Sequence, residues 1–244
     1  MLISHKHKFI YTKTPKTAGT TVEVYFDRYC APKMNSTFPR QDRDMYEGKE
    51  GIIGFRGTTK HLDKKMKWYN HMDALQVKKQ IGDEIWEDYF KFSTIRSPFD
   101  YMVSLFYYLQ RHAETTASSK IESQEEIKKR EVGLFRHWLK TEKRMNGTSK
   151  YYSIDHKPCM DYHIRYENLE GDIQEVCNEL SIEFIPQEIK KLKTKFRNRN
   201  IPLSEFYDLA SIEIIEARYD FEIKHFGYSF ERSLEISKLK PTNH

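Results

Sequence analysis

Residues 9–26 read FIYTKTPKTAGTTVEVYF, and this stretch decides the fold. It begins like a short buried strand, ends like a helix, and carries a loop with a glycine in between. This order builds anion sites, because backbone N–H groups at a helix N-terminus point towards the ligand. Gly19 lets the backbone approach such a ligand closely. The stretch therefore predicts an anion-binding loop between a first strand and a first helix.

The loop offers several donors to an anion: the N–H groups of residues 17–21, three threonine hydroxyls and a lysine. The candidate binding residues are Lys16, Thr17, Ala18, Gly19, Thr20 and Thr21. In the Walker pattern the lysine follows the second glycine, whereas here Lys16 precedes the only glycine. This residue pattern indicates a phosphate-binding loop of a type different from the Walker loop. The alternative is an ordinary turn between a strand and a helix. Lys13 either helps this site or points to solvent.

A second strand and helix follow in KFSTI, 91–95, and RSPFDYMVSLFYYLQRH, 96–112. Ser97 is the predicted N-cap, and Pro98 is the predicted first helical residue. Ser104 comes seven residues after the cap, about two helical turns, and so faces the same side as the cap. Together Arg96 and Ser104 are suited to hold a second phosphate. The alternative is an arginine salt bridge and a serine bonded to its own helix.

The remaining sequence alternates strands and helices. A third strand is predicted in YHIRY, 162–166. Arg165 lies at its end and either contacts a nucleotide or pairs with Glu167. A closing helix is predicted in LASIEIIEARYDFEIKHFG, 209–227. This order predicts an α/β fold with a P-loop-like parallel central sheet flanked by helices, and with ligands at the carboxyl ends of its strands. We expect one domain over residues 1–244, with peripheral tails at 1–7 and 232–244.

Composition limits the function classes. The formal net charge of +5 is compatible with an anionic cofactor or substrate. Three cysteines without a CxxC pair indicate neither a disulfide framework nor a zinc cluster, so we expect a reducing, cytoplasmic location and no metal. We find no signal-peptide pattern and no apolar run of membrane-spanning length, and therefore expect no membrane partner.

Two motifs together resemble those of sulfotransferases that use 3′-phosphoadenosine 5′-phosphosulfate (PAPS). TPKTAGTT, 14–21, resembles their 5′-phosphosulfate loop, and FSTIRSPFDYMVSLFYY, 92–108, resembles their 3′-phosphate motif. The resemblance covers most of residues 8–230 and extends to the carbohydrate group, which includes hexuronyl 2-O-sulfotransferases and many bacterial members. Bacterial relatives usually read RNPWD where this chain has Ser97 and Phe99 in RSPFD.

The resemblance implies a sulfotransferase fold, a PAPS cofactor with adenosine 3′,5′-bisphosphate as product, and sulfuryl transfer to an acceptor hydroxyl. The resemblance places Lys16 beside the bond that breaks, and it implies that His71 is the catalytic base. His61 is the second candidate for the base, and a helix-capping role is the alternative for His71. The expected partner is a carbohydrate or a small-molecule alcohol, with a natural product or an amine as other acceptors, and no nucleic acid.

Two other functions compete with this interpretation. A nucleotide kinase shares the strand–loop–helix architecture, but the sequence offers neither a Walker lysine nor a convincing magnesium-binding acid. A non-enzymatic binder of an anionic polymer would use the basic run KKLKTKFRNRN, 190–200. That function leaves the paired loop motifs unexplained.

Overall fold

The fold was analysed in a computed structural model. It describes residues 1–32, 43–57, 66–110, 123–142, 147–189 and 201–239. These residues form two compact units. The sheet unit comprises Met1–Ile95 and Thr148–Leu192, and the helical unit comprises Arg96–Gly147 and Lys193–His244. Our expectation of one domain stays a prediction, and each unit is described by itself.

A six-stranded sheet forms the centre of the sheet unit. Its strands are β1 (Leu2–Ser4), β2 (Phe9–Thr12), β3 (Tyr46–Glu47), β4 (Gly51–Ile53), β5 (Phe90–Ile95) and β8 (Tyr162–Arg165), and a separate hairpin contains β6 (Ser153–Ile154) and β7 (Lys157–Pro158). The order across the sheet is β3-β4-β1-β2-β5-β8. The strands β2, β5 and β8 run parallel, as predicted, whereas β1, β3 and β4 pair antiparallel. The α/β class with a central sheet flanked by helices is confirmed, and the sheet is mixed.

Helices cover both faces of this sheet. They are α1 (Gly19–Phe26), α2 (Ala74–Ile81), α3 (Asp83–Asp88) and α6 (Leu169–Glu179). Alternate strand residues point to opposite faces, so Phe9 packs in one core cluster with residues of α1 and α6, and Ile10 packs in the other with residues of α2 and α3. Burial on both faces explains the mostly apolar character of β2, and in β5 it also buries Lys91, Ser93 and Thr94.

The helical unit packs around aromatic side chains. Its helices are α4 (Pro98–Gln110), α5 (Gln124–Thr141), α7 (Leu203–Phe206), α8 (Leu209–Arg218), α9 (Asp220–Phe226) and α10 (Phe230–Leu239). Phe106 and Phe206 each pack against Phe135 with ring centroids 5.5 and 5.3 Å apart. The hydroxyl of Tyr207 donates to the Phe99 carbonyl oxygen at 2.7 Å, which ties the chain before α8 to α4.

Three expectations need correction. Residues 1–7 are not a peripheral tail, because β1 pairs with β2 on one side and β4 on the other and is fully buried. The predicted closing helix is two helices, since Tyr219 leaves the helical conformation between α8 and α9 and packs its ring beside Tyr101. In the C-terminal tail, residues 232–239 belong to α10, whose Ser233 is buried.

Candidate active site

The loop between β2 and α1 presents unpaired backbone donors. Lys16 and Ala18 adopt left-handed conformations, with φ of 59° and 60°, and α1 begins at Gly19. Within the described parts of the chain, the N–H groups of residues 17–20 donate no hydrogen bond. Successive N–H groups in such a turn form a concavity suited to an anion. The N–H of Thr21, which was predicted to be a further donor, instead bonds to the Ala18 carbonyl oxygen at 2.8 Å, and the anion-binding role of the loop stays a prediction.

Buried hydroxyl groups fix this loop to the sheet. The hydroxyl of Thr17 lies 3.0 Å from the Thr14 carbonyl oxygen and 2.6 Å from the hydroxyl of Thr94 on β5. The Tyr11 hydroxyl lies 3.2 Å from the Gly19 carbonyl oxygen. These contacts join the loop to two neighbouring parallel strands, so its conformation is set before any ligand arrives.

Gly19 is required by packing inside the protein. A Cβ atom at this position would lie 2.9 Å from Lys13 Cγ, 3.0 Å from the Thr14 carbonyl oxygen and 3.0 Å from the Tyr11 hydroxyl. These distances are too short for any side chain. The sequence explained Gly19 by the approach of a ligand, whereas the structure shows that the first turn of α1 lies directly on the preceding loop.

Lys13 points into the protein. It is 2% exposed, and its ammonium group lies 2.8 Å from Oε2 of Glu23, which is fully buried on α1. Arg43 and Arg56 bind the same carboxylate, each at 2.7 Å. Burial alone would raise the pKa of Glu23, but the charges of Lys13 and the two arginines outweigh it and hold that pKa well below its usual value.

Two further ionisable groups lie close to Glu23 and to Arg43. The amino group of Met1 lies 3.7 Å from Oε1 of Glu23, and Arg43 also contacts Asp27 at 3.4 Å. Burial raises the pKa of Asp27 to about 7. The sequence did not single out Glu23, although one carboxylate within the otherwise apolar run VEVYF was a signal for a buried, paired charge.

His71 contacts the same loop. Its Nδ1 atom lies 2.9 Å from the carbonyl oxygen of Lys13, so the ring donates from Nδ1 and its Nε2 atom carries the lone pair. Its backbone is left-handed, with φ of 59°, which histidine tolerates better than most residues. Burial first and the nearby charge of Lys13 second lower the pKa of His71 to about 3. The imidazole is therefore neutral at pH 7.

Tyr151 is a neighbour of His71 that the sequence did not predict. The two rings meet edge-on with centroids 6.3 Å apart. The carbonyl oxygen of Tyr151 accepts a hydrogen bond of 2.6 Å from the Thr12 hydroxyl at the end of β2. Burial raises the pKa of Tyr151 to about 12, so its phenol stays protonated. Only tertiary contact brings this tyrosine to His71.

In the helical unit, Arg96 binds a carboxylate. Its Nε and one terminal nitrogen lie 2.8 and 2.7 Å from Oδ2 of Asp100, one helical turn away. The helix α4 begins at Pro98, as predicted, and the hydroxyl of Ser97 lies 2.6 Å from that of Ser233. Ser104 is partly exposed on the same helix. Arg96 thus forms the salt bridge that was the alternative to a phosphate site, and its phosphate role stays a prediction.

Arg165 is the last residue of β8, and its backbone pairs with Ile95 of β5. Its N–H donates to Asp172 of α6 at 2.6 Å, which secures the end of the strand.

His61 and the basic run at 190–200 lie outside the described residues. Among the residues that are described, no group of three or more His, Cys, Asp or Glu side chains is arranged for a metal, and no helix is long and apolar enough to cross a membrane.

Fold and loop together define an α/β protein with a strand–loop–helix turn after the first of its parallel strands. The model of the sulfotransferase family matches residues 1–229, and the chain belongs to that family. It is therefore an enzyme that transfers a sulfuryl group to an acceptor substrate. Comparisons with curated proteins and with solved structures each gave no match.

Proposed function

We propose that this enzyme takes its sulfuryl group from PAPS and passes it to an acceptor hydroxyl, with His71 as the base. The observation that carries the proposal is the hydrogen bond from His71 to the carbonyl oxygen of Lys13. Lys13 belongs to the loop whose N–H groups at 17–20 donate to no group of the described residues. Sulfuryl transfer to a hydroxyl is helped by a base placed close to the site that holds the donor, and this hydrogen bond supports such a placement.

The residues of the loop fit a phosphosulfate. Besides its N–H groups, the loop holds the Thr14 hydroxyl, which is buried and has no hydrogen-bond partner among the described residues. Buried hydroxyl groups rarely stay unpaired, so this one supports a ligand at the loop. We assign Lys16, Thr17, Ala18, Gly19, Thr20 and Thr21 to the 5′-phosphosulfate.

When bound, PAPS supplies an activated sulfuryl group whose leaving group is the 5′-phosphate. We assign to Lys16 the neutralisation of negative charge that develops on the bridging oxygen during transfer. The N–H groups of the loop hold the adjoining phosphate oxygens in a fixed position. The protein thus works mainly by orientation and charge stabilisation, as in phosphoryl transfer.

His71 takes the proton from the acceptor hydroxyl as that oxygen attacks the sulfur. Its Nε2 atom is available for this, because Nδ1 donates to Lys13. With a pKa of about 3 the ring is a weak base in the ligand-free protein. A bound anion beside the ring offsets the positive charge of Lys13 and raises the pKa of His71 towards the range useful for catalysis.

We assign the 3′-phosphate to Arg96 and Ser104, and a nucleotide contact to Arg165. Arg96 directly follows β5 in the chain, and its guanidinium is already held in one orientation by Asp100. A planar, oriented guanidinium binds phosphate oxygens through parallel N–H groups. The resemblance of residues 92–108 to the 3′-phosphate motif supports this assignment.

For the acceptor we propose a sugar hydroxyl, because the chain resembles the carbohydrate group of sulfotransferases and its bacterial members. A small-molecule alcohol, a natural product and an amine are the other acceptors to test. Loops that vary between relatives build acceptor sites in such folds, so the acceptor is best identified by experiment.

The test begins with binding. We expect adenosine 3′,5′-bisphosphate to bind without magnesium, and Lys16→Ala to weaken its binding while Lys6→Ala, at an exposed lysine of the sheet unit, does not. Labelled PAPS with a panel of sugars, alcohols and amines then identifies the acceptor. Magnesium-dependent binding of ATP in place of the bisphosphate would indicate a kinase, and polyanion binding that survives Lys16→Ala would indicate a polymer binder.

A further inference from the structure

A buried ion pair and a hydrogen bond connect Glu23 to His71, and the chemistry proposed above gives this connection no role. It runs from Glu23 on α1 through the ammonium group of Lys13 to the peptide of the same lysine, and from there to His71. All three residues belong to the sheet unit. Glu23 and Lys13 are buried, with side chains 0% and 3% exposed, so their ion pair is shielded from water.

Lys13 is the first residue after β2, whose pairing with β5 ends at Thr12 and Ser93. The neighbouring residue Thr14 accepts a hydrogen bond from the Thr17 hydroxyl through its carbonyl oxygen. The buried ion pair with Glu23 anchors the side chain of Lys13, the residue whose carbonyl oxygen binds His71.

Glu23 is itself held rigidly. Arg43 binds its Oε1 atom, and Arg56 and Lys13 share its Oε2 atom. Because two arginines fix the carboxylate, its position does not depend on Lys13. Glu23 therefore gives the ammonium group of Lys13 a fixed and buried partner.

Resting on the function proposed above, we propose that Glu23 is a positioning residue for His71. It holds Lys13 so that the Lys13 carbonyl binds Nδ1 of the imidazole and leaves Nε2 directed to the acceptor. The role explains why a lysine inside this loop turns into the protein and pairs with Glu23. It also explains a buried carboxylate on the helix that begins at that loop.

Lys13→Met tests this role with little risk to folding, because Glu23 keeps both arginines and the Lys13 carbonyl stays in the chain. We expect kcat to fall on the order of 10-fold or more, since a small misplacement of a base is costly. The KM for PAPS and the Kd for adenosine 3′,5′-bisphosphate should change less than about threefold, well under the tenfold that 1.4 kcal/mol represents.

Lys91→Met is the matched control. Lys91 is also a buried lysine of the sheet unit, and it pairs with Asp161 at 3.1 Å without contacting the loop. It should lose stability much as Lys13→Met does and keep its kcat. Glu23→Gln should act in the direction of Lys13→Met; if circular dichroism shows that it does not fold, Lys13→Met decides.

A second readout is independent of catalysis. Long-range ¹H–¹⁵N spectra of histidine-labelled protein should show His71 as the Nδ1–H tautomer in the wild type and in Lys91→Met, and a mixture with Nε2–H in Lys13→Met. An unchanged kcat or tautomer in Lys13→Met, or a weakened Kd as its main effect, overturns the positioning role. Absent transfer from PAPS with the tautomer change present would instead refute the proposed function alone.

Discussion

His71 and Lys13 are 58 positions apart in the chain, yet Nδ1 of His71 lies 2.9 Å from the carbonyl oxygen of Lys13. This hydrogen bond connects the segment before α2 to the loop after β2. It settles which ring nitrogen carries the proton, and through that which nitrogen can accept one. The helix cap predicted as an alternative role for His71 is instead Asp73, whose carboxylate accepts from the Gln76 N–H.

Replacement of His71 separates binding from chemistry. We expect His71→Asn to lower kcat by about 10²-fold or more, because an amide cannot act as a base, while its N–H can still donate to Lys13 and Asn tolerates a left-handed backbone. Binding of adenosine 3′,5′-bisphosphate, measured by titration calorimetry, should be nearly unchanged.

The control for this variant is His156→Asn. His156 is exposed in the sheet unit and has the same left-handed backbone, with φ of 60°. It should retain wild-type kcat. Wild-type turnover in His71→Asn would show that another residue is the base, and His61 would then be the next candidate.

The depressed pKa of His71 makes the stability of the protein depend on pH. Its value is about 3 in the folded protein and near 6.5 when unfolded. Below pH 6.5 the unfolded chain takes up a proton that the folded protein does not, so stability is lost as the pH falls from about 6.5 towards 3. We expect the loss to be at most about 1.4 kcal/mol per pH unit from this residue.

Urea unfolding at pH 7, 6, 5 and 4.5 measures this dependence. The free energy of unfolding of the wild type should fall more steeply with acid than that of His71→Asn, which has no imidazole to titrate. Taking the difference between the two removes other titrating groups, Asp27 among them. Parallel curves would show that His71 titrates normally in the folded protein.

Arg96→Ala tests the 3′-phosphate assignment. Loss of a hydrogen bond to a charged group costs about 1.5–3 kcal/mol, so the Kd of adenosine 3′,5′-bisphosphate should rise about 10- to 100-fold. Arg96→Lys should be intermediate, because an ammonium group cannot place two nitrogens on Asp100 as the guanidinium does. Adenosine 5′-phosphate, which lacks the 3′ group, should bind the wild type and both variants alike.

Arg232→Ala is the control, since Arg232 is an exposed arginine of the helical unit. Its affinity for the bisphosphate should equal that of the wild type. Equal affinities in Arg96→Ala and Arg232→Ala would place the 3′-phosphate elsewhere.

The left-handed backbone at Ala18 predicts opposite effects of two substitutions. This conformation costs an L-residue about 1–2 kcal/mol and costs glycine little. Ala18→Gly should therefore raise the free energy of unfolding by up to about 1 kcal/mol, and Ala18→Val should lower it, because branching at Cβ makes a positive φ worse.

Thermal and urea unfolding measure both effects. Ala74→Gly is the control, since Ala74 is the first residue of the regular helix α2, where the same substitution should destabilise. If Ala18→Gly and Ala74→Gly destabilise equally, the backbone at Ala18 is not left-handed in solution.

Local signals predicted much of the fold. The helix α2 begins at a capping box of Asp73 with Gln76, a signal that is formed within four residues of the sequence. The start of α4 at Pro98 was predicted for the same reason. The strand β1 carries no such local signal: three residues become a strand only by pairing with β2 and β4 on either side.

The sequence by itself determined the α/β class, the strand–loop–helix order of residues 9–26 and the residue types that serve the proposed chemistry, because strand, loop and helix signals are local. Tertiary structure alone decided that Lys13 turns to Glu23 and that His71 donates to the Lys13 carbonyl. A charged side chain takes the partner that burial brings within reach. For Glu23 and His71 that partner is set by the packing of α1 and of the residues before α2 against the central sheet.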